Sequence, residues 1–176
     1  MKTVQYFLLI IICLNFSFCK TKTVQKENKK LDFKTIKRYK TTKENGTIIN
    51  DYDFVFKHQE ETELSEILYD YNIKTTNQIV VVTVDSIEPY NDLQKFAVDL
   101  ATYWKIGNAE KDNGLVIVLC KPCRKVSIVT GYGTEKVLTD KICSDIIENT
   151  IIPQFKEGNY YFGIKKGIEE IIQKWE

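Results

Sequence analysis

The sequence predicts an α/β protein, a three-layer α/β/α sandwich around a small mixed β-sheet with one β-hairpin. Three observations predict it. The apolar, β-branched runs at 79–84 and 115–119 have few polar breaks, as strands covered on both faces do. A segment with helical apolar spacing lies between them, so a right-handed crossover makes the two strands parallel. A third run, 125–130, alternates and follows after only a handful of residues, which makes an antiparallel hairpin.

Taken in order, residues 47–49 can form a short strand, followed by Asn50-Asp51-Tyr52-Asp53. Leu64, Ile67, Leu68 and Tyr71 recur at three and four residues, so 57–73 reads as a helix. Asn77 and Gln78 open the strand 79–84. Asn91 can cap the next helix, whose apolar face is Leu93, Phe96, Ala97, Leu100 and Trp104. Gly107 is a natural stop for it. Beyond Gly131-Tyr132-Gly133, the residues Ile142, Ile146, Ile147 and Ile151 line a helical face that Pro153 is expected to end. A last helix begins near Asn159 and carries Phe162, Ile164, Ile168, Ile171, Ile172 and Trp175.

Charge divides the chain more sharply than its net of +1 suggests. Residues 20–46 hold ten Lys/Arg against three acids, while 47–176 hold fourteen against twenty-one. Residues 1–19 read as a signal peptide, with Lys2 ahead of an apolar run too short to span a bilayer comfortably. Leu14-Asn15-Phe16-Ser17-Phe18-Cys19 resembles a lipoprotein cleavage box, although Phe18 replaces the usual small residue. Ordinary signal cleavage and an uncleaved anchor are the alternatives. Lipidated at Cys19, the chain would be anchored to a membrane rather than spanning it. Residues 20–46 then read as a basic flexible tether in which Leu31, Phe33 and Ile36 are isolated, and 47–176 as the folded domain. The tether's charge would also attract anionic headgroups. The expectation is an exported protein, periplasmic or at the cell envelope, with no nucleic-acid partner.

The predicted topology also says which loops meet. Asp112-Asn113-Gly114 precedes one strand and Thr130-Gly131-Tyr132-Gly133 follows its hairpin partner, so both lie at one sheet edge, with Thr76 and Asn77. Acid, amide and backbone oxygens on such loops suit Ca²⁺ or Mg²⁺. The plainer alternative is that Asp-Asn-Gly and Gly-Tyr-Gly are only turns. Gly131-Tyr132-Gly133 lacks the spacing and the Lys-Ser/Thr of a nucleotide loop. His58, the only histidine, reads as an exposed helix-start residue.

These residues stand in a recognisable series. Asn50-Asp51-Tyr52, Trp104-Lys105-Ile106-Gly107, Asp112-Asn113-Gly114, Gly131-Tyr132-Gly133, Leu138-Thr139-Asp140 and Ile152-Pro153-Gln154-Phe155 follow one another over 47–173. The series resembles the TPM-domain family, which includes thylakoid-lumen proteins of photosystem repair and a modulator of levamisole receptors. The resemblance implies an α/β/α sandwich, an extracytoplasmic and often tethered domain, and divalent-cation binding through loop acids. It also implies acid phosphatase activity in some members. By position it carries ligand roles to Asp112 and Asn113, and, on the family alone, to Asp51 and Asp140. Lys57 departs from a helix-capping Ser.

Two functions follow. One is a tethered accessory, assembly or repair factor that binds a cation and an unknown membrane-associated protein. The alternative is a metal-dependent phosphatase, against which the domain offers few cations to clamp a phosphate. Cys120-Lys121-Pro122-Cys123 suggests thiol chemistry at first sight. A thioredoxin-type pair, however, needs its first Cys at a helix start, and a strand follows here. The motif therefore reads as a hairpin tip, open to closure by a Cys120–Cys123 disulfide after export. The odd cysteine count then leaves one thiol free or paired between chains.

Overall fold

The computed structural model describes Phe33 and residues 48–175. The proposed signal peptide, Cys19 and the rest of the tether lie outside the described residues. Strand β1 (Ile49–Asp51), helix α1 (His58–Thr75), strand β2 (Gln78–Thr83), helix α2 (Leu93–Trp104), strand β3 (Gly114–Cys120) and strand β4 (Lys125–Thr130) come first. The short helix α3 (Tyr132–Glu135), α4 (Asp140–Ile146), a π-helical turn (Ile147–Ile151), α5 (Ile152–Lys156) and α6 (Tyr160–Trp175) follow.

The sheet order is β1-β2-β3-β4. β1, β2 and β3 run parallel, and β4 returns antiparallel with Leu115 opposite Thr130 and Cys120 opposite Lys125. All seven residues of β3 are buried, so both faces of the sheet are covered, as the unbroken apolar run requires. The Ser127 hydroxyl donates to the Gln94 side chain, which puts Ser127 and, by alternation, Val129 on the α2 face. Val126 and Ile128 point the other way, where the π-helical turn packs on β4. α1 packs on β1, β2 and α6, and the Tyr71 hydroxyl donates to the Trp175 carbonyl at 3.2 Å.

Several local expectations change. Asp92, not Asn91, caps α2, its carboxylate accepting from the Gln94 N–H at 2.9 Å. Lys105, in the left-handed region at φ 52°, closes α2 before Gly107 is reached. Pro153 does not end the helical run. It lies in the first turn of α5, just past the π-helical turn, where a missing N–H costs least. The absent Ser cap at Lys57 is partly replaced, because the Glu60 carboxylate accepts the Lys57 N–H at 2.8 Å.

Phe33 departs most from its reading as an isolated tether residue. It is 4% exposed and packs against Tyr90, Phe96 and Tyr103 at ring separations of 5.7–6.2 Å. Among the described residues no helix is long and apolar enough to cross a membrane.

Candidate functional site

The three parallel strands give the sheet two unlike edges. At their amino-terminal edge the predicted convergence is present. The Gly131 N–H donates to the Gly114 carbonyl at 2.8 Å, and the Gly133 and Thr134 N–H groups both reach the Asp112 carbonyl, at 3.1 and 3.3 Å. The Asn113 amide donates to the Thr76 carbonyl at 2.9 Å, and its oxygen accepts the Asn108 N–H at 2.9 Å. The approach is close enough to exclude a side chain. A Cβ on Gly131 would lie 2.4 Å from the Asp112 carbonyl oxygen, and one on Gly133 would lie 1.9 Å from that of Lys111. The glycines are there for contact, and Asp112 bears the backbone cost at φ 47°.

This edge does not fit the ion expected of it. The side-chain groups of Asn113 are spent on the loops around it, the Asp112 carbonyl takes two donors, and the Gly131 carbonyl accepts the Glu135 N–H at 2.9 Å. Only the exposed Asp112 carboxylate stands clear of these bonds. Asp51 is the last residue of β1 and so sits at the opposite edge. Its carboxylate accepts the Val55 and Phe56 N–H groups at 3.0 and 2.8 Å, and the Thr83 hydroxyl. Asp140 opens α4 beside its cap, Thr139. The five predicted ligands therefore cannot converge on one ion. Among the described residues, no three His, Cys, Asp or Glu side chains stand together as metal ligands. His58 is exposed at the start of α1.

The carboxyl-terminal edge is built differently. Asp51 and Thr83 pin a tight loop, and the Asp53 N–H donates to the Thr83 hydroxyl oxygen at 3.1 Å. At the loop's tip Phe54 sits at φ 49° and is 89% exposed, an unusual place for a large apolar side chain. Burial raises the Asp53 carboxyl above its ordinary value, Lys121 opposes the shift, and Asp85 and Asp51 add to it. At the end of β3 the structure joins Cys120 to Cys123, with Cα atoms 5.2 Å apart, across the hairpin tip. Cys143 is the free, buried thiol among the described residues. Burial, helped by Asp140, pushes it up to about 11.

Beside this tip lies a groove of about 790 Å³. Lys121, Arg124 and Lys125 from the hairpin and Lys156 from α5 line it, all exposed. Its apolar floor includes Leu119, Phe155 and Tyr160. The Lys121 ammonium lies 5.0 Å from the centre of the Tyr160 ring. Acids outnumber cations in the domain, twenty-one to fourteen, yet four of the cations share one groove. The hairpin's three were readable as a cluster in the sequence. Lys156 and Tyr160 were not, because they join it only through the packing of α5 and α6.

The comparisons with known proteins bear on the whole domain. The TPM domain family matches residues 49–174. The chain belongs to the TPM domain family. This TPM domain is similar to the solution structure of the N-terminal domain of a protein from P. gingivalis, with 31% identity and a TM-score of 0.68. That match covers 74% of this chain and 83% of that one. The BA42 protein from Bizionia argentinensis shares the fold at 23% identity and a TM-score of 0.61, covering 71% and 88% of the two chains. The N-terminal domain of the cg2496 protein from Corynebacterium glutamicum does so at 14% identity and a TM-score of 0.60, covering 79% and 86%. No curated protein matches the chain.

Proposed function

We propose that this TPM domain is a non-catalytic binding module, tethered at the cell envelope, that holds a membrane-associated protein. What supports the reading is how the polar groups of the loop cluster are used. Asp51, Asn113 and the carbonyls of Asp112 and Gly131 already close turns and strand junctions. A metal-dependent phosphatase needs ligands free to hold an ion and to present water to a phosphoryl group. The export signal and a lipid on Cys19 would place the module at a membrane, and the basic residues of 20–46 would keep it near anionic headgroups.

Cross-linking in cells is expected to join the lipidated chain to a membrane protein. The purified domain is expected to leave a generic phosphomonoester intact in Ca²⁺ or Mg²⁺, and neither ion should give a saturable rise in melting temperature. The phosphatase reading keeps one specific support, the four cations of the groove. Turnover that survives extensive purification and is lost in Asp112→Ala, or in Lys121→Glu with Arg124→Glu, would establish that reading and remove ours. A calcium-dependent thermal shift lost in the same variant would restore the cation site.

A further inference from the structure

We infer that the groove beside the hairpin tip takes an extended acidic peptide segment of a partner protein, laid along the free edge of β4 with an apolar side chain on the groove floor. The inference rests on the binding-module reading and names the partner's chemistry and its place on the domain.

The first observation is where the groove runs. It is bounded by Asp92 and Gln94 at the start of α2 on one side and by Phe155 and Lys156 of α5 on the other. Lys125, Val126 and Ser127 of β4 lie between them. β4 is the edge strand of the described sheet, and a groove that reaches residues on both of its faces passes over its open side.

The second observation is the hydrogen-bond phase of that strand. The Gly131 N–H bonds to the Gly114 carbonyl. Antiparallel pairs alternate between bonded and non-bonded. In the register of β3 and β4, Cys120–Lys125 and Val118–Ser127 are then bonded pairs and Leu119–Val126 is not. The N–H and C=O of Val126 accordingly point away from β3, into the groove. An edge that is unpaired among the described residues, with pockets beside it, is what strand addition uses: the main chain supplies affinity and alternate side chains supply selection.

The third observation is charge. Lys121, Arg124, Lys125 and Lys156 share the groove's lining with one acid, Asp92, whose carboxylate already caps α2, and outside the lining Asp53 lies near enough to Lys121 for their charges to interact. Among the described residues the Lys125 ammonium reaches the Asn91 carbonyl, at 3.4 Å. A free inorganic anion would meet these cations but leave the apolar floor bare. A bilayer surface is flat, whereas the cations ring a concavity. The chain's own 20–46 segment, with ten basic residues to three acids, carries the wrong sign. An acidic strand with one apolar side chain satisfies the cations, the floor and the open edge together.

The test uses the folded chain without its signal peptide and a fluorescein-labelled twelve-residue peptide, Glu-rich around a central Val-Val-Phe. Anisotropy should show saturable, salt-sensitive binding, and the Lys-rich counterpart should show none. Lys121→Glu with Arg124→Glu should weaken it at least about tenfold. Val126→Pro keeps the cations, removes one edge N–H, and should weaken it as much at an unchanged melting temperature. If that variant melts lower, protection of the wild-type Val126 amide from exchange on adding peptide replaces it. Three results would overturn the inference. One is no binding, or binding indifferent to both variants. Another is equal competition by inorganic phosphate or preference for phosphatidylglycerol vesicles. The third is a dimer of the chain that Val126→Pro dissolves, which would give the edge to a second copy. Cross-linking to a membrane protein that persists in both variants would leave the module reading intact and remove the groove from it.

Discussion

The two edges of one sheet are both polar, and they differ in how many of their groups are left open. At the amino-terminal edge, Asp112, Asn113, Gly131 and Gly133 are locked into each other through backbone and amide bonds. At the carboxyl-terminal edge, cations ring an open groove and a phenylalanine stands in solvent on a left-handed backbone. The difference teaches that a polar, glycine-rich motif gives no measure of how available its groups are. Availability depends on whether neighbouring loops have already taken the hydrogen bonds.

The largest expected effect breaks the amino-terminal edge. In Gly133→Ala a Cβ would meet the Lys111 carbonyl oxygen at 1.9 Å, and its nearest neighbours are all backbone atoms of Lys111 and Asp112, with little room to yield. A loss of about 3 kcal/mol is expected from urea unfolding, near the top of the range for overpacking. A tolerant Gly133→Ala would mean that the loops there are not a rigid lock.

Asp51→Ala comes next. It strands the Val55 and Phe56 N–H groups and the Thr83 hydroxyl, and about 2 kcal/mol should be lost, the scale of leaving part-buried donors without acceptors. Equal stability would undo the assignment of Asp51 to loop closure and free it as a ligand.

Asp53→Asn should act in the other direction. The Asp53 carboxyl is raised above 3.8, first by burial, so the folded state holds its proton more tightly than the unfolded one. Folding is then penalised as pH rises from 3.8 through the raised value, and the penalty is full above it. The amide variant should be the more stable protein at neutral pH, and the gain should vanish below pH 3.8. Thermal melts across acid pH would show the convergence, and a gain that persists in strong acid would rule out charge as its cause.

Phe54→Gly should raise stability slightly, by about 1 kcal/mol or less, because glycine relieves the left-handed backbone and little apolar burial is lost. Cys143 marks the quiet end of the scale. With its thiol buried and pushed up to about 11, it should escape iodoacetamide in the native protein and react once the chain unfolds. Cys120 and Cys123 should react only after reduction.

Much of the fold was legible because its signals are local. The β-branched runs at 79–84 and 115–119 became buried parallel strands, and the short link before 125 became a hairpin. The meeting of Asp112 with Gly131 followed from strand direction alone. What sequence could not supply was the state of the hydrogen bonds there, since Asn113 looks the same whether its amide is free or spent. Pro153 misled because a π-helical turn placed it in a first helical turn. Phe33 misled because its partners, Tyr90, Phe96 and Tyr103, are far away in sequence. The groove was missed for the same reason: Lys121 and Lys156 are thirty-five positions apart and meet only in three dimensions.

The contrast between the edges can be measured in one titration. Amide resonances of the isotopically labelled chain would be followed as the acidic peptide is added. The account predicts concerted, saturating shifts at 121–127 and 155–160, with 112–114 and 131–133 unmoved. Shifts centred on the Asp112 and Gly131 loops, with the hairpin tip silent, would contradict it.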